Sequence, residues 1–411
     1  MDRILFILPN LDLGGTETVV MNYFRNVNRN EIIFDFVVHG ESGYYEEEAR
    51  ELGARIFRVP TRKQGFFKNI RAMRKIYKEE KYSSVVICTE HAFAFIELFV
   101  AWTAGIKMRA AWSHFSDYQG KSRLKRQLHF FARPLMRLFA NRHLACTKEA
   151  GQWLFGKFDS YVINNAIDME KYTFSPTTRQ KMRENLAIEN KFVVGIAGRI
   201  TAVKNHAFAL DVFKAVSEMD KNAVFIIIGD GELRDEIEKA AHAAFFRRTK
   251  CGAPPKAAER KWALPTVARG LGGVAPIGDG NCESSFLANK AKTAQHGISE
   301  ITIFTGMVSN IYDYFQAVDV LLIPSFHEGF PVIAIEAQAS SLPVILSDTI
   351  SAEGKISELA HFESLKSGAS AWAKKVLEIK NSVQERTAID LSHSGFHIKT
   401  EAEKLQRILK K

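Results

Sequence analysis

The chain has 411 residues, of which 46% are hydrophobic and 25% are charged, and its formal net charge is +10. This length excludes one ordinary core and predicts two domains, and the composition is typical of a soluble globular protein. The excess of positive charge favours anionic partners, which include phosphorylated substrates, an anionic membrane surface and nucleic acid.

Three features of the sequence predict the cellular compartment: the start of the chain, its longest apolar stretch and its cysteines. Residues 4–8 are too few and wrongly flanked for a signal peptide, so they predict a first strand. The apolar stretch from Ala92 to Ile106 contains Glu97 and falls short of the ~20 residues of a membrane-spanning helix, so it predicts a buried helix. The cysteines form no CxxC pair and predict neither a disulfide framework nor a zinc site: Cys88, Cys146, Cys251 and Cys282. We therefore expect the protein to stay in a reducing cytoplasm.

Short β-rich runs alternate with helical patterns along the first part of the chain. Helical patterns such as Glu46–Leu52 and Phe67–Glu80 separate the predicted strands. These strands are Ile4–Leu8, Phe34–Val38, Arg55–Val59 and Ser84–Cys88. Strands that alternate with helices predict a parallel sheet with helices on both faces.

The same alternation restarts in the second part of the chain. The predicted strands there are Phe192–Ile196, Ala223–Ile228, Ile301–Phe304, Val320–Pro324 and Pro343–Ser347. Two doubly wound α/β domains, over residues 1–165 and 166–390, are the simplest account. We expect the hinge between them near Asn164–Ala187, where Pro176 and polar residues interrupt the periodicity.

One segment, residues 245–296, lacks this strand–helix rhythm. Within it, Ile277 to Gly280 repeats the run Ile228-Gly229-Asp230-Gly231, and we assign the first copy to the fold because a convincing strand precedes it. The run Gly270 to Ala275 fits the dinucleotide pattern GxGxxA, but no strand leads into it, so we do not expect it to bind a cofactor. We expect the segment to be an insertion that forms a mobile, largely unstructured excursion.

Two loops at predicted strand ends have residues suited to binding phosphate. Gly14 and Gly15 follow the first strand, where backbone N–H groups at a helix start can approach an anion, although such glycines are often only structural. Gly198, Arg199 and Lys204 follow the strand Phe192–Ile196. Arg199 can bind a diphosphate through two N–H groups and Lys204 adds a point charge; a solvated basic loop is the alternative.

A third loop has two carboxylates. Glu328 comes just before a predicted helix that Pro331 is suited to begin, and Glu336 lies about one and a half turns into it. Each carboxylate could accept hydrogen bonds from a different hydroxyl-bearing group. A glycosidase-like acid/base pair is the competing interpretation. The cations of the second loop argue against it, because hydrolysis of a glycoside does not need them.

These motifs together resemble those of the family-four retaining glycosyltransferases, particularly the bacterial exopolysaccharide and capsule type. The resemblance spans nearly the whole chain except residues 245–296, and it rests on Gly14 to Glu17, Asn165 to Asp168, Gly198-Arg199 with Lys204-Asn205, Gly229 to Gly231, and Glu328 eight residues before Glu336. It implies the GT-B fold, in which two Rossmann-like domains face a central cleft. It also implies that residues 391–411 form a helix that returns to the N-terminal domain.

The resemblance also implies roles for individual residues. Arg199 and Lys204 would hold the donor diphosphate, Glu328 would contact the transferred sugar, and Glu336 would bind the ribose hydroxyls. Gly15 would offer its backbone to the diphosphate from the opposite domain, and His114 matches the family's active-site histidine near the reacting sugar. The remaining expected donor-binding residues are Gly198, Gly329 and Phe330.

The implied reaction is sugar transfer from a nucleotide-diphosphate sugar, with retained anomeric configuration, to a lipid-linked saccharide in surface polysaccharide synthesis. The departing phosphate would take the acceptor proton. We expect no cofactor and no metal, because Arg199 and Lys204 can stabilise the charge that grows on the β-phosphate. The alternatives are another GT-B enzyme, such as a sugar-nucleotide epimerase, and an inactive scaffold that only binds sugar nucleotide.

One stretch of the sequence concerns the acceptor. It mixes basic and apolar residues from Lys121 to Phe131 and continues with Arg133, Arg137 and Arg142. It fits a helix that lies on an anionic membrane, and equally an ordinary surface helix packed on the N-terminal domain. The first interpretation places the protein on the inner face of the plasma membrane. No recognition motif supports nucleic acid as a partner.

Overall fold

A computed structural model describes residues 2–40, 42–115, 123–246, 298–328, 330–382 and 385–410. Two of the sequence predictions concern residues outside these ranges. Gly329 and almost all of the 245–296 insertion, with its second Gly-Asp-Gly copy, lie outside the described residues. Their predicted properties therefore stay predictions.

A parallel sheet forms the centre of the N-terminal part. Its described strands are β1 (Asp2–Ile7), β2 (Ile32–Val38), β3 (Ile56–Arg58), β4 (Ser84–Thr89), β5 (Met108–Ser113), β6 (Arg142–Ala145) and β7 (Tyr161–Val162). They lie in the order β3-β2-β1-β4-β5-β6-β7, so the order reverses between β1 and β4. The helices of this part are α1 (Gly15–Asn26), α2 (Glu46–Glu51), α3 (Phe66–Glu79), α4 (Phe95–Thr103), α5 (Arg123–Phe139) and α6 (Lys148–Phe155). Buried apolar side chains cover both faces of the sheet.

The second sheet repeats this plan. Its described strands are β8 (Phe192–Ala197), β9 (Ala223–Ile228), β10 (Thr302–Gly306), β11 (Val320–Ile323), β12 (Val344–Ser347) and β13 (Ala360–Glu363), in the order β10-β9-β8-β11-β12-β13. The remaining helices are α7 (Met169–Tyr172), α8 (Pro176–Asn185), α9 (His206–Met219), α10 (Arg234–Phe246), α11 (Ile311–Ala317), α12 (Val332–Ala339), α13 (Ala369–Ser382) and α14 (Ile398–Lys410). The strand order reverses between β8 and β11. Ligands of such sheets bind beyond the carboxyl ends of the strands at this reversal.

All nine strands predicted from the sequence are present, with bounds that differ by at most two residues. The polar residues around Pro176 interrupt the apolar pattern of the sequence, but they form a helix. Pro176 is the first residue of α8, and the Ser175 side chain caps that helix by accepting a hydrogen bond from the Thr178 N–H at 3.2 Å. Proline suits this position because its fixed φ is already helical and its missing N–H would have no partner there.

The last helix returns to the first domain, as the resemblance implied. Apolar residues of α14 belong to the same buried core as β1, β2 and α1: Ile398, Ala402, Leu405 and Leu409. The chain crosses between the two sheets just before α7, and residues near this crossing hold it to α14. Glu401 accepts a hydrogen bond from the Asn164 N–H at 3.0 Å, and the Ile398 N–H donates to the Ile167 carbonyl at 3.0 Å.

Candidate active site

A cavity of about 390 Å³ lies where the carboxyl ends of the two sheets face each other. Both parts of the chain line it. Four of the predicted site residues are in its wall: Gly15, His114, Glu328 and Phe330. Glu328, Phe330 and Val332 face it from the C-terminal part, and the other lining residues come from the N-terminal part and the crossing. The arrangement brings the predicted sugar contact and the predicted histidine to one space.

The loops after β8 and β9 pack backbone against backbone. A Cβ on Gly229 would lie 2.2 Å from the Gly198 carbonyl oxygen, and one on Gly231 would lie 2.5 Å from the Ile200 carbonyl oxygen. Any side chain at either position would have to move a neighbouring backbone. The Gly-Asp-Gly run therefore fixes the loop that carries Arg199, and the first copy belongs to the fold, as its preceding strand predicted.

Lys204 and Glu328 form an ion pair at the edge of the cavity. The Lys204 Nζ lies 2.7 and 2.9 Å from the two carboxylate oxygens of Glu328. The Ser325 hydroxyl donates a further hydrogen bond to Glu328 Oε1 at 2.6 Å. The Glu328 side chain is only 9% exposed, which strengthens this pair relative to one on the open surface. Lys204 itself does not line the cavity.

The two loops that carry this pair are also joined by two further hydrogen bonds. Asn205 has a left-handed conformation with φ of 57°, and its side-chain amide donates to the Pro324 carbonyl at 3.1 Å. The Phe326 N–H donates to the Val203 carbonyl at 2.9 Å. The loop after β8 and the loop after β11 therefore hold Lys204 and Glu328 at fixed relative positions.

Arg199 lies further out than Lys204. Its side chain is 72% exposed, and its Nε lies 3.5 Å from a carboxylate oxygen of Glu232, which is itself 58% exposed. An ion pair with this exposure contributes ~0–1 kcal/mol, so it holds Arg199 only weakly. The guanidinium is thus available to a ligand at the carboxyl edge of the sheet.

Glu336 is buried in α12. Its carboxylate accepts a hydrogen bond from the Tyr172 hydroxyl at 2.7 Å, and burial raises the pKa of Glu336 above its ordinary value. Glu336 is not in the wall of the cavity. The structure therefore places Glu328 and Glu336 in different surroundings, one facing the cavity and one held by a tyrosine.

His114 follows β5 and is buried against Trp112, with ring centroids 4.7 Å apart. Burial lowers the pKa of His114 to about 3, and the nearby Asn165 side chain only partly opposes this shift. Within the described part of the chain, neither ring nitrogen has a hydrogen-bond partner of ordinary geometry. The ring is therefore neutral, and one nitrogen can donate while the other accepts.

Glu17 brings a carboxylate to the start of α1, beside Gly15. It is 8% exposed, lines the cavity and turns back over Gly14, where a Cβ would lie 2.2 Å from its Oε2. Burial raises the pKa of Glu17. A carboxylate here is favoured by the partial positive charge of the helix start, which is also where the sequence predicted an approach to phosphate.

The loop after β4 carries two cavity residues that the sequence analysis missed, Glu90 and His91. Other parts of the fold hold this loop by its backbone. The Trp153 indole donates to the Glu90 carbonyl at 2.7 Å, and His129 Nδ1 accepts from the Ala92 N–H at 3.0 Å. The His91 Nδ1 is buried without a partner among the described residues. A signal was present, because these residues directly follow the predicted strand Ser84–Cys88 at the edge where ligands bind.

No three His, Cys, Asp or Glu side chains in the described ranges are grouped as a metal site would need. None of the helices there has both the length and the apolar character needed to cross a membrane.

Comparisons with known proteins agree with the fold and with the motifs. Family models described as glycosyl transferases group 1 match residues 178–249 and 263–381. EpsF of Bacillus subtilis (strain 168), provisionally named a glycosyltransferase, is 28% identical over 393 residues, which cover 91% of this chain and 86% of EpsF. An Escherichia coli UDP-Gal:alpha-D-GlcNAc-diphosphoundecaprenol alpha-1,3-galactosyltransferase is 24% identical over 46% of this chain and 36% of its own.

A solved structure extends the comparison to the whole fold. HepE of Anabaena, in complex with UDP-glucose, aligns over 100% of both chains with a TM-score of 0.70 at 17% sequence identity. At that identity the likeness concerns the fold, which is two Rossmann-like domains across a cleft. Together with the family matches and the EpsF alignment, it shows that the chain has the GT-B fold and that its C-terminal part matches the glycosyl transferases of group 1.

Proposed function

We propose that this glycosyltransferase moves a sugar from a nucleoside-diphosphate sugar to a saccharide acceptor with retention of anomeric configuration. The observation that carries the proposal is the arrangement at the cavity. Lys204 and Arg199 lie on loops at the carboxyl edge of the second sheet, and Glu328 faces Gly15 and His114 across the space. Cations, a cavity carboxylate and a neutral histidine are the groups that such a transfer needs.

The chemistry follows from where charge develops. As the bond from the anomeric carbon to the donor oxygen breaks, negative charge grows on the β-phosphate, and Lys204 and Arg199 would stabilise it. Groups held in place in this way contribute several kcal/mol, of order ~3 for a single well-placed donor. Positive charge grows on the sugar ring at the same time, and the Glu328 carboxylate would favour it. The acceptor hydroxyl passes its proton to the departing phosphate oxygen as its own oxygen bonds to the anomeric carbon.

The donor would lie on the C-terminal side of the cavity and the acceptor on the N-terminal side. Glu336, held by Tyr172, would take the ribose hydroxyls, and Gly198, Gly329 and Phe330 would complete the donor site. HepE was solved with UDP-glucose, which makes uridine diphosphate sugars the first donors to test. Glu90 and His91 are the polar side chains that an acceptor would meet in the opposite wall.

A screen of nucleotide sugars by thermal shift tests the donor site. We expect one nucleoside diphosphate, with or without its sugar, to raise the melting temperature by several degrees. Incubation of that donor with lipid-linked and free saccharides, followed by NMR of the product, should show a new glycosidic bond with the donor's anomeric configuration. Conversion of the donor to an epimer without acceptor, or an inverted product, would contradict the proposal.

The acceptor proposal is a lipid-linked saccharide in surface polysaccharide synthesis. The Escherichia coli relative acts on a saccharide linked to diphosphoundecaprenol, as its name states. The surface of α5 also supports the proposal, because it is basic and its outer apolar side chains remain uncovered. The exposed residues on it include Leu124, Leu128, Phe130, Phe131, Leu135 and Leu138, and its buried residues are His129, Ala132 and Met136.

The uncovered face of α5 continues onto α4. Phe139 packs between Phe99 and Trp102, with centroid distances of 5.1 and 5.7 Å, and Phe99 and Trp102 are 40% and 53% exposed. Basic residues with exposed aromatic and aliphatic side chains suit the headgroup region of an anionic membrane. We therefore propose that this face rests on the inner leaflet of the plasma membrane, beside a lipid-linked acceptor.

Vesicle flotation tests this surface. We expect the protein to float with phosphatidylglycerol-rich vesicles and not with phosphatidylcholine vesicles. The double substitution Phe131→Ser with Leu138→Ser should abolish flotation, whereas Met219→Ser, at an exposed apolar side chain of α9, should not. Flotation of the double variant at the wild-type level would contradict the membrane surface and leave the transfer reaction unaffected.

A further inference from the structure

The groups predicted to bind phosphate already face carboxylates of the chain itself. Glu328 is bound to Lys204, Glu232 lies near Arg199, and Glu17 occupies the start of α1 beside Gly15. A donor diphosphate therefore cannot simply add to free cations. It has to compete with anionic side chains that hold the same positions.

These contacts differ widely in strength. The pair between Arg199 and Glu232 is exposed and 3.5 Å long, so solvent screens it and a ligand can replace it at little cost. The pair between Lys204 and Glu328 is different, because the Lys204 ammonium contacts both carboxylate oxygens within 3 Å and Glu328 is 9% exposed. This second pair decides how much free energy the ligand must supply.

We propose that Lys204 exchanges partners on donor binding, leaving Glu328 for the diphosphate, and that Ser325 is the positioning residue that keeps Glu328 in the cavity after the exchange. This inference rests on the proposed function, since it takes the donor diphosphate as the incoming anion. The Ser325 hydroxyl bonds to Glu328 Oε1 at 2.6 Å, and Ser325 is 1% exposed. Its carbonyl accepts a hydrogen bond from the Thr349 hydroxyl at 3.0 Å, so its own position does not depend on Lys204.

After the exchange, the positive charge of Lys204 lies at the donor phosphate and the negative charge of Glu328 lies at the sugar. Lys204 moves from a fixed carboxylate to the phosphate on which negative charge develops. Glu328 loses its counter-ion and keeps one hydrogen bond, so its charge is free to act on the sugar ring. In the donor-free protein the pair compensates the charge of the buried Glu328 carboxylate, which without a partner would destabilise the loops.

The decisive experiment measures affinity for a probe that has the diphosphate but no sugar. Isothermal titration with UDP, and with inorganic pyrophosphate as a base-free probe, should show that Glu328→Gln binds roughly three- to tenfold more tightly than the wild type, because the amide no longer competes for a charge-assisted contact. Glu232→Gln is the matched control, and its affinity should stay within about twofold of the wild type because its pair is exposed.

A double-mutant cycle identifies the partner. In a Lys204→Met background, Glu328→Gln should no longer raise the affinity for UDP, because the competition requires the lysine. Glu328→Asp has a shorter side chain that reaches Lys204 less well, so it should also bind UDP more tightly than the wild type. This variant is a control for a folding defect specific to glutamine.

Ser325 is tested by kinetics. Ser325→Ala should leave the Kd for UDP unchanged and lower kcat at least tenfold with little change in the donor KM, and Ser325→Thr, which keeps a hydroxyl, should recover most of kcat. Loss of UDP affinity in Ser325→Ala, or no loss of kcat, overturns the positioning role.

The failure of the exchange and the failure of the donor site give different results. If the wild type binds UDP or pyrophosphate but Glu328→Gln binds equally or more weakly, the exchange is overturned and the donor site stands. If neither probe binds the wild type or any variant, both the donor-site proposal and the exchange are overturned.

Discussion

His114 is buried so completely that its imidazole stays neutral through the pH range in which proteins usually work. Its pKa in the folded state is about 3, against an ordinary value near 6.5. The unfolded chain therefore takes up a proton between these values that the folded protein does not. The contribution is fully favourable above pH 6.5 and is lost as the pH falls from there toward 3.

We predict that His114→Gln removes part of the acid sensitivity of the fold. Between pH 7 and pH 5 the wild type should lose about 2 kcal/mol of unfolding free energy through this group alone, which the variant should not lose. Urea unfolding at the two pH values measures the difference. His393→Gln, at an exposed histidine, is the control and should follow the wild type. Identical pH dependence in wild type and His114→Gln would show that the ring titrates normally.

Lys204 and Arg199 carry the charges that the proposed transfer needs. We predict that Lys204→Ala and Arg199→Ala each reduce turnover strongly while leaving the melting temperature within a few degrees of the wild type. Loss of a charge-assisted contact costs roughly 1.5–3 kcal/mol in binding and more in the transition state. Steady-state kinetics with the identified donor measures this, with Lys239→Ala on the exposed side of α10 as the control. Near-wild-type activity in both variants would disprove the donor-site assignment.

We expect Glu336 to contribute to donor binding and Glu328 to contribute to the transfer step. We predict that Glu336→Gln weakens the binding of the free nucleoside diphosphate, whereas Glu328→Gln lowers the transfer rate without weakening that binding. The prediction follows from the roles that the resemblance implies, and the two carboxylates do have different surroundings, Glu336 against Tyr172 and Glu328 facing the cavity. Calorimetry with the diphosphate, beside single-turnover kinetics, distinguishes the two. Equal losses of affinity would contradict it.

At the scale of elements, the sequence predicted β1 to β4 of the first sheet and β8 to β12 of the second, most of which are short apolar runs bounded by turns. Among the strands it missed, β5 (Met108–Ser113) contains Arg109 and two alanines, β6 (Arg142–Ala145) starts with Arg142 and His143, and β7 has two residues. Side chains of this kind do not distinguish a strand from a loop. The partner strand and the covering helices decide their conformation.

Motifs predicted part of the wall of the candidate cavity, and the residues that only the topology brings there were missed. Gly15, His114, Glu328 and Phe330 came from motifs and meet at one cavity. Glu90 and His91 belong to no motif, and Tyr172 and Ser325 act on the site through contacts that span the fold or a loop. No local sequence pattern predicts that Tyr172 bonds to Glu336, which is 164 residues away in sequence. Such partners become visible only from coordinates.

The returning helix α14 gives a test of how the elements depend on one another. Leu405 is fully buried in the core of the N-terminal sheet. We predict that Leu405→Ala lowers the free energy of unfolding by roughly 2–5 kcal/mol, because it removes apolar contacts and leaves a cavity. Thermal and urea unfolding measure this, and Arg407→Ala on the exposed face of the same helix should stay within about 0.5 kcal/mol of the wild type. A small effect at Leu405 would mean that α14 is only loosely attached.

At the scale of the whole molecule, the net charge of +10 favours anionic partners. Among these cations, Lys204 and Arg199 would stabilise the charge on the departing phosphate, as a bound metal does elsewhere. We predict that transfer proceeds at the full rate in excess EDTA. The measurement is an initial rate with and without chelator, after dialysis against it. Loss of activity that magnesium or manganese restores would contradict a metal-independent reaction.

The packing of α14 into the first core has a consequence for how the protein is made. Ile398 to Leu409 complete the core that begins with β1 and α1, and the entire second sheet lies between them in the chain. A ribosome adds about 5–20 residues per second, so the emerging N-terminal part waits on the order of tens of seconds with one flank of its core uncovered. During that interval the groove beside α1 that α14 later fills stays open to solvent. Premature termination before residue 398 would leave that groove open permanently.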